Sequence, residues 1–139
     1  MSEPTLQTVI STSPARATGR TVHVFQLDQP DEPSPEDLAV IHDGIETTIV
    51  TSSASRLATA QSRNQVIEGP FTVIRLEISL SFGAPGFIAA ATAACAGAGI
   101  NAFMLSTFSY DYLLVPADDE AAALRALSNA GFPTAPLQS

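Results

Sequence analysis

The chain has 139 residues, of which 45% are hydrophobic, and a formal net charge of −8, with six arginines and no lysine. This length supports one compact domain, or two small units that share a core. The negative charge and the lack of a basic cluster disfavour a nucleic-acid partner. The missing lysine excludes a lysine-bound pyridoxal phosphate.

Membrane contact and secretion are not expected either. No apolar run approaches the ~18 residues that a membrane-spanning helix needs. The first 20 residues lack an apolar segment behind a basic start, so they do not read as a secretory signal. We therefore expect a cytoplasmic protein.

Histidine and cysteine are too scarce to indicate a metal centre or a nucleophilic site. His23, His42 and Cys95 are the whole set, so a metal site would need both histidines and scattered carboxylates. Cys95 lies among small residues and is interpreted as a buried apolar side chain. No serine lies in a G-x-S-x-G context. We expect no metal, no cofactor and no catalytic activity, although hydrolysis by a pair of carboxylates remains an open alternative.

The first half of the chain has irregular patterning. Residues 1–19 are polar and predict a disordered segment. Residues 21–28 alternate as a strand, and residues 29–37, with three prolines, predict a loop. Residues 36–44 favour a short helix or turn, and the β-branched residues of 45–53 favour a strand.

The second half is more regular. Residues 71–80 predict a strand and 85–98 a helix with one apolar stripe. Residues 100–109 and 110–117 predict two strands that meet in a hairpin near Ser109. A helix capped by Asp118 and a short last strand follow.

The resulting order, β-α-β-β-α-β, is the ferredoxin-like pattern of an α+β fold. The first half is interpreted as a degenerate copy of it. We therefore predict two units in tandem, an irregular one at 20–69 and a regular one at 70–134.

Several short motifs support a family resemblance. They are a glycine turn at 83–86, Ala-Gly-Ile at 98–100, Ser-Thr-Phe at 106–108, Asp111 and Leu-Leu-Val at 113–115. Together they resemble the C-terminal ACT domain of small tandem-ACT proteins related to the CASTOR arginine sensors. The likeness extends over residues 20–132, more specifically in the second half.

The resemblance implies βαββαβ units and a free amino acid as ligand, held at an interface between ACT units. It implies regulation and no catalysis. The chain leaves no room for a fused enzyme, so we expect a free-standing sensor or a subunit that acts on a regulated protein partner. Exposed strand edges favour a homo-oligomer, with a dimer as the simplest form.

The candidate ligand-binding residues lie in two segments. Gly83, Ala84 and Gly86 open a helix, where free N–H groups and a partial positive charge suit an α-carboxylate. Asp111 suits the α-ammonium. The candidates on the neighbouring strand are the hydroxyls of Ser106 and Thr107 and the backbone of Phe108.

The residues alone leave alternatives open. An ordinary strand-to-helix turn also needs glycine, and a hairpin aspartate can simply face solvent. Glu46 and Ser52 or Ser53 are weaker binding candidates. The chain could instead be a dimerisation module without a ligand, or a small enzyme of ferredoxin-like fold.

Overall fold

The computed structural model describes residues 5–29, 31–78 and 84–135. The helices in these ranges are α1 (Leu6–Ser11), α2 (Ala54–Ser62), α3 (Phe87–Gly97) and α4 (Glu120–Asn129). The strands are β1 (Ala15–Leu27), β2 (Asp37–His42), β3 (Thr47–Thr51), β4 (Glu68–Leu76), β5 (Phe103–Ser106), β6 (Asp111–Pro116) and β7 (Thr134–Ala135).

The chain divides into two compact units. The small unit is Arg20–Phe71, and the large unit contains the described residues before Arg20 and from Thr72 onward. Both boundaries fall inside long strands, β1 and β4, so each of these strands contributes residues to both units.

The small unit contains β2, β3, α2 and parts of β1 and β4, with the strand order β2-β3-β1-β4. Phe25 of β1 pairs with Ile49 of β3, which also pairs with Val40 of β2. Phe25 and Ile49 are buried against Ala60 of α2. This cluster is the apolar core of the small unit.

The prediction of a helix or turn at residues 36–44 was wrong, since this segment forms β2. A tight turn after β2 lets this segment pair with β3 as a strand. The side chain of Asp43 accepts the N–H groups of Ile45 and Glu46, both at 2.8 Å. This local capping reverses the chain and brings β2 into antiparallel register with β3.

The large unit carries the predicted βαββαβ order from β4 to β7. Its strand order is β7-β1-β4-β6-β5, so β1 lies between β4 and β7. β7 runs parallel to β1, with Ala15 opposite Thr134. β1 runs antiparallel to β4, because Glu77 N–H donates to the Pro14 carbonyl at 2.9 Å while Thr18 donates to the Val73 carbonyl at 2.7 Å.

The core of the large unit contains one face of its strands and the apolar stripes of α3 and α4. In α3 the buried residues are Phe87, Ala91 and Cys95, which recur every fourth position. The sequence predicted a stripe of Phe87, Ala91, Ala94 and Ala98, which is confirmed at Phe87 and Ala91 and wrong at the exposed Ala98. The Phe87 ring meets Phe132 edge to face, with centroids 5.5 Å apart. Cys95 is fully buried, which confirms its interpretation as an apolar side chain, and burial raises the pKa of its thiol.

The prediction of a disordered segment at residues 1–19 was wrong for the described residues from Thr5 onward. Thr5 caps α1 by accepting the N–H of Thr8 at 3.1 Å. Val9 and Ile10 of α1 are buried in the core of the large unit. Two adjacent apolar residues behind a threonine cap were enough to fold a short helix that composition alone did not reveal.

Asp118 does not cap α4 as predicted. It lies in a 3-10 turn at Ala117–Asp119, and Asp119 precedes α4 without a side-chain cap. Among the described helices, none is both long and apolar enough to cross a membrane.

Candidate functional site

The hairpin between β5 and β6 brings two of the predicted site residues, Ser106 and Asp111, into contact and places Thr107 in the turn beside them. Ser106 and Asp111 form the last strand pair before the turn, and the Ser106 hydroxyl donates to Oδ1 of Asp111 at 2.7 Å. Thr107 N–H donates to the Tyr110 carbonyl at 2.8 Å, and Tyr110 N–H donates to the Thr107 hydroxyl at 3.2 Å. The turn is therefore closed by its own backbone, and the serine orients the carboxylate of Asp111.

Phe108 lies at the tip of this turn and is 85% exposed. Asp111 is partly exposed at the start of β6. The predicted ligand contacts of the hairpin therefore lie on an accessible surface.

The second predicted segment is the start of α3, of which the structure describes Ala84 and Gly86. Gly83 lies outside the described residues. The Ala84 carbonyl accepts the N–H of Phe87 at 3.1 Å, and the Gly86 carbonyl accepts the N–H of Ala90 at 2.8 Å. No side chain among the described residues caps this helix, so its first turn keeps the partial positive charge of a helix N-terminus.

Gly86 is required here by its backbone and by its surroundings. Its φ is +89°, in the left-handed region that favours glycine. A Cβ at this position would lie 3.0 Å from Cδ2 of Leu6. Helix α1, unforeseen in the sequence, therefore packs directly beside the start of α3.

Both segments lie at one edge of the large unit. Two contacts show that β4 runs antiparallel to β6. Thr72, near the start of β4, contacts Glu120, which follows β6. Arg75, near the end of β4, lies over the ring of Tyr110, which precedes β6. The end of β4 and the β5–β6 turn therefore share an edge. We call it the hairpin edge.

The start of α3 lies at the hairpin edge as well. Phe87 packs on Phe132, and the next residue, Pro133, accepts the N–H of Ala15 at 2.7 Å. Ala15 is the first residue of β1, which begins where β4 ends. The structure thus brings Ala84, Gly86 and the hairpin residues to the same edge.

Three charged residues at this edge were not among the predicted site residues. Oε1 of Glu77 accepts hydrogen bonds from Arg16 at 3.1 Å (Nε) and 3.0 Å (Nη2). Oε2 of Glu77 accepts Nε of Arg75 at 3.0 Å. The guanidinium carbon of Arg75 lies 5.2 Å from the centroid of the Tyr110 ring, a cation–π distance.

This cluster holds two guanidinium groups against one carboxylate. The hydrogen bonds from Arg16 lower the pKa of Glu77; burial opposes them, and Arg75 adds to the lowering. The alternating pattern of residues 71–80 predicted that Arg75 and Glu77 share one face of the strand, and this was the sequence signal that could have identified the pair. Arg16 had no such signal, since it lies in the segment predicted to be disordered.

Two of the weaker candidates of the first half have local structural contacts. Ser53 caps α2 by accepting the N–H of Arg56 at 3.2 Å, and the Ser52 hydroxyl donates to the Glu36 carbonyl at 3.1 Å. Glu46 lies exposed in the turn between β2 and β3.

Comparison with known proteins shows which family this fold resembles. Residues 66–129 match the family model of the ACT domain. The fold is of the ACT type. In the large unit the match contains β5, β6, α3 and α4, and therefore the described part of the hairpin edge except Arg16. No curated protein matches the chain significantly.

Solved structures of similar fold include regulatory proteins. A protein of unknown function from Vibrio cholerae, described as a possible transport protein, has a TM-score of 0.75 at 22% identity, with 91% of this chain and 95% of that chain covered. An Agrobacterium tumefaciens protein has a TM-score of 0.69 at 17% identity, with 91% and 93% covered. The ligand-free regulatory subunit of aspartate kinase from Thermus thermophilus has a TM-score of 0.55 at 16% identity, with 79% and 91% covered.

Proposed function

We propose that this chain is a non-catalytic regulatory module of ACT type that binds a free amino acid at the hairpin edge. The observation that carries the proposal is the arrangement of this edge. A helix start that no side chain of the described residues caps and a serine-oriented aspartate lie at this edge together. A cluster with one excess positive charge lies at the same edge.

The chemistry of the edge suits a zwitterion. The N–H groups of the first turn of α3 would receive the α-carboxylate. Asp111 would receive the α-ammonium through the oxygen that Ser106 leaves available. Thr107 and the backbone of Phe108 would line the same side of the ligand, and Gly86 adds no side chain at the helix start.

We propose further that a second ACT unit completes the site, so that the ligand lies at an interface between ACT units of a homo-oligomer. β5 is the terminal strand in the order of the large unit, and pairing at such an edge is a common route to a dimer. The regulated protein would be a separate cytoplasmic partner. The likeness to an aspartate kinase regulatory subunit supports this class of role.

The alternative with a specific observation behind it is a dimerisation module without a ligand, since the same terminal strand supports it. The two functions differ in one measurement, which is a thermal-shift screen with the twenty amino acids, arginine included. The proposed function predicts that one or a few of them stabilise the chain, by about 2.7 kcal/mol at a hundredfold excess over Kd. A stable oligomer with no shift from any amino acid contradicts it and supports the alternative.

A further inference from the structure

The small unit contains a cavity of its own, about 690 Å³ in volume. This volume is in the range of small-molecule sites. We call it the α2 cavity, and it is lined by Phe25, Leu27, Asp28, Gln29, Asp31, Ser55, Arg56, Thr59, Ala60, Arg63 and Gln65. None of these residues lies in the segment that matches the ACT model, and none belongs to the hairpin edge.

One face of α2 forms a wall of this cavity. Arg56, Thr59, Ala60 and Arg63 are spaced by three, one and three positions, so they lie on one helical stripe. The two arginines are seven residues apart, which is about 10 Å along a helix axis. The wall therefore presents two separated guanidinium groups with a hydroxyl and a small apolar surface between them.

Each arginine faces an aspartate from the end of β1 or the loop that follows it. Arg63 lies 3.0 Å from Asp28, with side chains 58% and 56% exposed. Arg56 lies 3.1 Å from Asp31, whose side chain is 64% exposed. Because both side chains of the Arg63–Asp28 pair are exposed, this pair contributes about 0–1 kcal/mol, so a ligand carboxylate can replace Asp28 at little cost.

Arg56 itself is held in place from behind. Its guanidinium contacts the carboxylate of Asp37 at 3.2 Å through Nε and at 3.2 Å through Nη2, and the Asp37 side chain is 1% exposed. Nη2 also donates to the Glu32 carbonyl at 2.9 Å. The position of Arg56 is therefore set before any ligand arrives, and it in turn positions Asp31.

We propose that the α2 cavity is a second binding site, for a small zwitterion whose carboxylate and ammonium groups are separated by a chain of several carbons, as in an amino acid with a basic side chain. The carboxylate replaces Asp28 on Arg63, and the ammonium contacts Asp31. These ion pairs hold three carboxylates against two guanidinium groups, so the local charge disfavours a simple anion. The partly exposed side chain of Leu27, which lines the cavity, receives the apolar part of the ligand.

Isothermal titration calorimetry of the full chain with the twenty amino acids tests this proposal. Arg63→Gln removes the guanidinium group that would bind the ligand carboxylate, and it does so at an exposed position. Thr59→Tyr fills the cavity. Arg125→Gln, an exposed arginine on α4, is the matched control. We expect both cavity variants to weaken one binding event by about tenfold or more, while Arg125→Gln and Asp111→Ala leave that event unchanged.

Two derivatives of the same amino acid, one with the carboxylate amidated and one with the distal ammonium acetylated, each lack one of the two charges and are expected to lose that event in the wild-type chain. If no event responds to Arg63→Gln, or if a capped form binds equally well, the proposal is wrong. The two proposed sites can be disproved separately. If the titration shows one binding event and only Asp111→Ala removes it, the hairpin edge is supported and the α2 cavity is overturned.

Discussion

The carboxylate of Glu77 accepts two hydrogen bonds from Arg16, a residue 61 positions earlier in the chain. This contact joins the start of β1 to the end of β4. Through Arg75, the same carboxylate is linked to the ring of Tyr110 in the β5–β6 turn. Glu77 therefore ties together three of the segments that meet at the hairpin edge.

Replacement of Glu77 by glutamine is expected to lower the free energy of unfolding by about 1–2 kcal/mol at pH 7, because two guanidinium groups lose a charged partner that is largely shielded from solvent. Its pKa is lower in the folded state than in the unfolded chain. This stabilisation is therefore fully present above the unfolded pKa and is lost as the pH falls through the folded value.

Urea unfolding of the wild type and Glu77→Gln at pH 7 and at pH 3 measures this difference, with the exposed Glu68→Gln as control. A gap between wild type and variant that is equally large at both pH values would show that the charge of Glu77 is not its source.

Replacement of Gly86 by alanine is expected to destabilise the large unit by about 1–2 kcal/mol, since an L-residue is strained at positive φ. The added Cβ would also crowd Leu6. Gly97→Ala is the matched control, because its added Cβ meets nothing within 4 Å, and alanine is favoured over glycine in a helix by roughly 0.5–1 kcal/mol. Thermal unfolding should rank the two variants on opposite sides of the wild type, and equal effects would contradict the backbone argument.

Cys95 is expected to be inert in the folded protein. It is fully buried, and burial raises the pKa of its thiol, so little reactive thiolate forms. A colorimetric disulfide reagent at pH 8 should react slowly with the native chain and rapidly in concentrated urea. Fast reaction of the native protein would show that the core around α3 opens readily.

Replacement of Asp37 by asparagine is expected to destabilise the small unit by about 1–3 kcal/mol. Burial by itself would raise the pKa of Asp37, but hydrogen bonds from Ser34 and Thr51 and the charge of Arg56 together hold it below the usual value. Its contribution to stability is thus present above the unfolded pKa and is lost as the pH falls through the folded pKa.

Asp28→Asn, which alters an exposed ion pair, is the control for this variant and should change the unfolding free energy by less than about 1 kcal/mol. Similar losses for both aspartates in urea unfolding at pH 7 would contradict the special role of Asp37.

Much of the fold could be predicted from local sequence patterns, and the segments that were predicted wrongly have physical explanations. Regular alternation predicted β4, and an apolar stripe that begins with Phe87 and Ala91 predicted α3. β2 was mistaken for a helix or turn because its Leu-Ala-Val-Ile core has no polar alternation, and only pairing with β3 decides its conformation. Helix α1 is too short for periodicity to show.

The candidate site was predictable only in part for a similar reason. Ser106, Thr107 and Asp111 are close in sequence, so a hairpin was enough to bring them together. The pairing of Arg16 with Glu77, and the α2 cavity, depend on contacts between distant segments. Single-sequence patterns contain no information on such contacts, and the ligand-binding roles remain predictions.

Calorimetric titration of the stabilising amino acid into Asp111→Ala is the most direct test of binding at the hairpin edge. The Arg63→Gln background removes any contribution from the α2 cavity, and Asp43→Ala, which alters another hairpin aspartate with local backbone contacts, is the control. We predict that binding is lost in Asp111→Ala and retained in Asp43→Ala, with both variants folded by circular dichroism. Unchanged affinity in Asp111→Ala would contradict the proposed site.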